Sequence, residues 1–342
     1  MAKKTAGAAG KKTKKIYGLT AIGNALVDVL AYTDEAFIMA QESKGMKKGA
    51  MILIDKPRSK EIYGLLENPQ QMSGGSAANT LSGFASFGGK GAFIGKTAED
   101  KFGKIFRADL ARQGLAYTTP PLKLKEATGL SYILVTPDGE RTMNTYLGAN
   151  EHFSPADIDE KIVAASKIIL LEGYLYDRPG AKAAFEKAAD VARAHGTKVA
   201  FSLSDYRCVE RHHEDFMRIF NSGVDIVFAN QREIRALTLK DDFNEAVEAV
   251  KQMCETIVLT RGAKGATIIH KGTPHHIPPA KAEKLVDTTG AGDAFAAGTL
   301  YGLSQGMDPA ASGRLGAAAA AKTIAHMGAR SPQSRFSDLL PK

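Results

Sequence analysis

The sequence predicts an α/β protein with one large domain, whose mostly parallel central sheet is covered by helices, and a small appendage of antiparallel strands. Three observations predict it. From Ser166 onward, strand-sized apolar runs alternate with helical runs: "KIILLEG", "GAKAAFEKAADVARAHG", "KVAFSL", "EDFMRIFNSG", "VDIVFAN". That rhythm gives a parallel sheet covered on both faces. The stretch from Thr119 to Tyr146 breaks it, with alternating β-rich residues on either side of a Pro-Asp-Gly turn, the pattern of antiparallel strands and a hairpin. Finally, two glycine turns, "SGGSAANT" and "DTTGAGDAF", each open a helix.

Taken in order, "YGLTAIGNALVDVLAY" (17–32) reads as a buried strand, a turn at Gly23-Asn24 and a second extended run. "SGGSAANTLSGFASFG" (73–88) is a glycine turn entering a helix, with Ser76 as the expected N-cap. "GAFIG" is a short strand, and "KFGKIFRADLARQG" an amphipathic helix closed by Gly114. After the parallel region come a strand at "TIVLTRG", a hairpin around "GATIIHKGTPHHI" and two alanine-rich helices after Asp293.

Composition excludes several classes. Of 342 residues, 44% are hydrophobic, ordinary for a globular chain, and no run approaches the roughly 20 apolar residues of a membrane helix. Cys208 and Cys254 match no metal spacing and form no disulfide framework, so the cytoplasm is the expected compartment. The net charge of +8 is mostly local, because the first 15 residues hold six lysines and no acid. Residues 1–15 are therefore expected to be a disordered, solubilising basic tail on a balanced body, with no specific nucleic-acid partner. The tail lacks the apolar segment of a signal peptide and the arginines of a mitochondrial leader.

Two motifs fail on spacing. "GAFIGKT" (91–97) lacks the glycine that a P-loop needs at position 90, which is Lys90. The pairs His212-His213 and His275-His276 diverge in either helix or strand and read as surface histidines.

"DTTGAGDAF" carries more. The N–H groups of Gly290, Ala291 and Gly292 and the following helix dipole make an anion hole. An acid there, Asp293, would repel a resting anion. It makes sense facing a hydroxyl that must lose its proton while attacking that anion, the demand of phosphoryl transfer to an alcohol. An acid in a first helical turn also simply suits the dipole. "GGSAANT" adds Gly74, Gly75, the hydroxyl of Ser76 and the amide of Asn79 on one helix face. Asp28 can accept from two hydroxyls. "NQREI" puts Asn230 and Glu233 three apart at a helix start after a strand, where they can meet hydrated Mg²⁺ and phosphate oxygens.

These motifs, in this order, resemble the ribokinase-like (PfkB) family of carbohydrate and nucleoside kinases from about residue 17 to 334. The signatures are "GGSAANTLSGFASFGGKGAFIGKTAEDKFG" and "DTTGAGDAFAAG". The resemblance implies a three-layer α/β/α domain over residues 16–336, with a β-sheet lid from segments of about 27–55 and 119–147. It implies ATP and Mg²⁺ as cofactors. It makes Asp293 the catalytic base and gives Asn230 and Glu233 the organising of Mg²⁺, through water, and phosphate. "TRGAKG" would be the nucleotide turn, with Thr260, Gly262 and Gly265, and "AKTIAHMGA" the adenine-side wall. Asp287 and Thr289 match positions that hold a monovalent cation, K⁺, in some members.

On the acceptor side the chain most resembles bacterial adenosine kinases. "GNALVDV" matches their ribose-binding stretch, with Asn24 and Asp28, and "LEGYLYD" puts Tyr174 and Tyr176 where they carry an aromatic wall for the base. "PDGERTMNTYLGAN" and Thr289 look as much like sugar kinases. The expected function is ATP-dependent phosphorylation of a nucleoside 5′-hydroxyl, adenosine to AMP in purine salvage. The alternative is a fructokinase, ribokinase or 2-keto-3-deoxygluconate kinase. Either a monomer or a homodimer fits the sequence.

Overall fold

A computed structural model describes residues 13–330 and 335–340. In chain order its elements are β1 (Tyr17–Ile22), β2 (Leu26–Tyr32), α1 (Glu35–Glu42), β3 (Met51–Leu53), α2 (Lys56–Leu65), β4 (Gln70–Gly74), α3 (Ser76–Ser86), β5 (Gly91–Ile94), α4 (Lys101–Arg112), β6 (Ala116–Tyr117), β7 (Gly129–Val135) and β8 (Arg141–Tyr146). There follow α5 (Glu160–Ala164), β9 (Ser166–Glu172), α6 (Pro179–Ala194), β10 (Lys198–Ser202), α7 (Tyr206–Arg211), α8 (His213–Asn221), β11 (Ile226–Asn230), α9 (Gln231–Thr238) and α10 (Phe243–Val250). The chain continues through β12 (Thr256–Thr260), β13 (Ala266–His270), β14 (Thr273–Ile277), α11 (Ala291–Ser304) and α12 (Pro309–Thr323).

The nine-stranded sheet runs β14-β13-β12-β11-β10-β9-β1-β5-β6. It is parallel from β12 to β6, with β13 and β14 added antiparallel at one edge. Alternation along the strands sorts side chains to two faces. Ile169, Leu171, Val199, Phe201, Val227 and Leu259 pack under α6, α8 and α9. Leu19, Ile168, Leu170, Ala200, Phe228 and Val258 pack on α3, α11 and α12. Helix, sheet and helix thus make three layers, with near-continuous apolar strands because both faces are covered.

The second sheet is five-stranded, ordered β3-β8-β7-β2-β4. Four of its strands, β2, β3, β7 and β8, fall in the lid segments expected from sequence. β4, which runs straight into the glycine turn, was not expected, and the chain near Leu122 forms only an isolated bridge with Ala98. Residues 1–12 of the expected tail lie outside the described residues. Thr13 and Lys15 are docked on the body: Thr13 Oγ1 lies 3.2 Å from His195 Nδ1, and Lys15 Nζ donates to Ala164 O and His195 O at 3.0 Å and to Thr197 Oγ1 at 2.6 Å.

Other differences are local. α3 starts at Ser76 and its N-cap is Gly75, so Ser76 is free for another partner. His212 and His213 are half-buried rather than on the surface, and His213 Nε2 lies 2.8 Å from Leu237 O. Lys96 of the failed P-loop is paired with Asp157. No described helix is long and apolar enough to cross a membrane.

Candidate active site

Ligand sites in open α/β sheets form beyond the carboxyl ends of the parallel strands, and that is where the predicted residues gather. Asn24 follows β1, Glu172 ends β9, and Asn230 and Thr260 pair at the ends of β11 and β12. Helices α3 and α11 enter the same space by their N-termini. Their first turns are joined side chain to side chain: Ser76 Oγ donates to Asp293 Oδ1 at 2.6 Å, and Asn79 Nδ2 donates to Asp293 Oδ2 at 3.0 Å. Burial pushes the Asp293 carboxyl up, while these two donors and the nearby Arg330 hold it down. The acid is therefore fixed in orientation by donors on both carboxylate oxygens.

Gly290 caps α11 in the left-handed region, φ 74°. A Cβ there would also sit 2.7 Å from the backbone of Ala329. A Cβ on Gly292 would meet nothing within 4 Å. The N–H of Ala291 is already donated to Thr288 O at 3.2 Å. Among the described residues the N–H groups of this turn without a backbone acceptor are thus those of Gly290 and Gly292, with open room over Gly292. Ala291, expected as a third donor, closes the turn instead.

The acceptor-side glycines have another cause. The Asp28 carboxylate lies where a Gly74 Cβ would be, and the Asn24 carbonyl where a Gly75 Cβ would be, with Gly75 at φ 90°. Asn24 is tied to the end of β9: its Nδ2 donates to Glu172 Oε1 at 2.8 Å. Glu172 also accepts from Ala77 N at 2.7 Å, so it ties the β1 turn to the start of α3. Burial raises its carboxyl to about 7. Asp28 likewise is pushed up to about 7 by burial, opposed by Arg330 and assisted by Asp293.

Asp28 lies on the lid sheet. Register puts Asp28, Ser131 and Thr145 in one cross-strand row, and Leu30, Ile133 and Met143 in the next. Leu30, Ile133 and Val135 form an apolar cluster with Met143 and with Met327 of the body. Two residues further out along β8, opposite Val135, Arg141 crosses to the body, pairs with Asp287 and donates to Thr289 Oγ1. Asp287 also accepts from Thr289 N and Gly328 N, each at 2.6 Å. A guanidinium from the lid thus faces Asp287 and Thr289. "AKTIAHMGA" forms the end of α12 and the turn behind this loop, with Ile324 O accepting from Val286 N and Asp287 N at 2.8 and 3.1 Å.

Asn230 and Glu233 form a capping box for α9. Asn230 Oδ1 accepts from Arg232 N (2.8 Å) and Glu233 N (3.0 Å), and Glu233 Oε2 accepts from Asn230 N (2.9 Å). Burial lifts Glu233 to about 7. Gly262 (φ 56°) leaves open space where a Cβ would be, whereas Gly265 backs onto the Ile277 carbonyl. Burial raises the Tyr174 phenol, with Asp205, Glu233, Asp293 and Glu172 near enough to add to the rise, so it stands among the acids of the cleft. Tyr176 does not join a wall: it is 2% exposed and packs with Phe185, Phe201 and Phe216 in the core under α6 and α8.

Sequence reasoning missed Arg141, Glu172 and Arg330. Arg141 and Glu172 stand inside stretches already marked by their glycines and aromatics; nothing local marks Arg330.

The sequence profile of pfkB family carbohydrate kinases matches residues 50–335. A crystal structure of an adenosine kinase from Sinorhizobium meliloti is 41% identical, with a TM-score of 0.87, covering 94% of this chain and 98% of that one. A probable sugar kinase from Rhizobium etli is 39% identical, also at 0.87, covering 94% and 97%. An ATP-dependent ribose-1-phosphate kinase of Halopiger xanaduensis is 31% identical over 242 residues, 69% of this chain and 74% of its own length. With the joined helix starts and the acid between them, these likenesses lead to one conclusion: the chain belongs to the pfkB family of kinases, ATP-dependent phosphotransferases acting on hydroxyl groups of sugars and nucleosides.

Proposed function

We propose that this kinase phosphorylates the 5′-hydroxyl of a nucleoside, adenosine before others, giving AMP. The observation that carries the reading is the graded lid face. A polar row with Asp28 lies directly beside an apolar row of Leu30, Ile133 and Met143, closed by Met327. A ribose bearing a planar base presents that pair of surfaces, hydroxyls on one side and an apolar ring on the other. A free sugar has no such apolar plane. The 41% identical neighbour from Sinorhizobium meliloti, an adenosine kinase, supports the same reading. A sugar kinase is the second reading, favoured by Ser131 and Thr145 beside Asp28, which offer more hydroxyl partners than a ribose diol needs.

In this mechanism Asp28 accepts from the ribose hydroxyls, and lid strands β2, β7 and β8 cover the acceptor and exclude water from the reacting phosphoryl group. Asp293, held by Ser76 and Asn79, takes the proton of the attacking hydroxyl. The N–H groups of Gly290 and Gly292 and the α11 dipole stabilise charge on the transferring group. Thr260 and Gly262 line the nucleotide side. Asn230 and Glu233 fit a hydrated Mg²⁺, because a buried carboxyl raised to about 7 gains most from a nearby divalent charge. That ion, when bound with ATP, would neutralise phosphate charge.

The test is ADP release with Mg-ATP against adenosine, inosine, guanosine, cytidine, ribose, fructose and 2-keto-3-deoxygluconate. A kcat/KM highest for adenosine supports the reading. A clear preference for a free sugar would overturn the nucleoside assignment and leave the phosphotransfer chemistry in place.

A further inference from the structure

We propose that Arg330 is a positioning residue for phosphoryl transfer, fixing the orientation of Asp293 through the amide of Asn79 and holding its charge directly. This rests on the reading of Asp293 as the base. Arg330 follows α12 and lies far from both partners in sequence. Its Nε donates to Asn79 Oδ1 at 2.7 Å. A primary amide has one accepting end and one donating end. With its oxygen claimed by Arg330, Asn79 must turn its NH₂ to Asp293 Oδ2, 3.0 Å away. The flipped amide would set a carbonyl against a carboxylate. Ser76 holds the other carboxylate oxygen, so the base is clamped on both sides.

Arg330 is itself anchored. Its Nη1 donates to Ser73 Oγ and lies 3.5 Å from Asp109 Oδ2 on α4, and its side chain is 12% exposed. Asp109 is shared with Arg112 at 2.8 Å. The charges facing Arg330 are Asp109, Asp28 and Asp293. Those facing Asp293 are Arg330, Asp28 from β2, Glu172 from β9 and the Tyr174 phenol after β9. In this acidic cleft Arg330 opposes the burial of Asp293. Without it the carboxyl would hold its proton to higher pH and be a base in a smaller fraction of molecules.

The test is the pH profile of kcat for Arg330→Lys, Arg330→Gln and Arg330→Met. Loss of an opposite charge this near should move the acid limb up by about one pH unit. At a pH below the shifted limb that is about a tenfold loss of rate, with KM for ATP unchanged. Arg330→Met and Arg330→Gln should show this shift. Arg330→Lys, which keeps the charge, should keep the limb near its wild-type position while losing part of the plateau rate, because a point donor replaces a planar fork. An unmoved limb in both neutral variants would overturn the proposal. If Arg330→Met does not fold, Arg330→Gln, which retains an N–H for Asn79, carries the comparison. Asp293→Asn separates the two layers of argument. If that variant keeps wild-type turnover, the base assignment has failed. If it is inactive and the neutral Arg330 variants keep the wild-type limb, the Arg330 role alone has failed.

Discussion

Two helices in this molecule begin the same way and for different reasons. α3 starts after Gly74-Gly75, and α11 starts after Gly290 with Ala291 and Gly292 in its first turn. Both N-caps, Gly75 and Gly290, have positive φ and no side-chain cap. Yet the space over Gly74 and Gly75 is filled by the chain itself, the Asp28 carboxylate and the Asn24 carbonyl. The space over Gly292 is open. The first motif uses glycine to bring the Asp28 carboxylate against the backbone. The second leaves open room at the helix start, which the proposed mechanism assigns to the transferring phosphoryl group. A glycine-rich signature is thus not by itself a ligand cradle; what occupies the missing Cβ position decides.

The comparison can be sharpened by substitutions, the largest effect coming from the acid between the helices. Asp293→Asn should lower kcat by about 10²-fold or more, the usual scale of a general base, with acceptor affinity unchanged. Steady-state kinetics with a directly measured acceptor Kd checks both parts, and a loss confined to Kd would move the acid from base to binding residue. Gly74→Ala should instead act on folding and on the acceptor. Its methyl group collides with Asp28, so we expect about 1–3 kcal/mol of destabilisation from forced overpacking together with a raised acceptor KM. Denaturant unfolding would detect it, and wild-type stability would show that the Asp28 contact is loose.

A smaller effect is expected from pH. Asp28, Glu172 and Glu233 have folded-state values of about 7, above their unfolded values of about 4. Between about pH 4 and 7 the folded chain therefore binds more protons than the unfolded one. Stability falls as pH rises through that window and levels above it. His270, held below its usual value, acts in the opposite sense near pH 6 and is a single group. The melting temperature of the free enzyme should be several degrees higher at pH 5 than at pH 8. The opposite slope would mean that these carboxyls are solvated.

Much of this was legible in the sequence because it is local. Alternating apolar strands and helices gave the large sheet, and the Pro-Asp-Gly turn gave the β7–β8 hairpin. Gly290 through Asp293 mark their own site, since glycine, dipole and acid sit within four residues. The lid was legible only in part. β4 is short and polar, "QQMSG", and reads as a strand only once it has β2 to pair with. Arg141 and Arg330 were not legible as site residues, because each meets its partner across more than 140 residues. Tyr176 was misread for the converse reason. It stands two residues from Tyr174, but the 3-10 turn after β9 points one ring to the cleft side and sends the other into the core.

The most direct test of the central claim, that an anion is held over the start of α11, is Gly292→Ala, read for both stability and turnover. Gly292 lies in the first helical turn with no positive φ and no neighbour for a new methyl group. Alanine there should leave the melting temperature unchanged or raise it, in line with a helical gain of about 0.5–1 kcal/mol. Turnover should fall by about tenfold or more, as expected when an oxyanion donor is obstructed. A variant that is both stable and fully active would contradict the account, because the open space over Gly292 would then hold nothing that matters to the reaction.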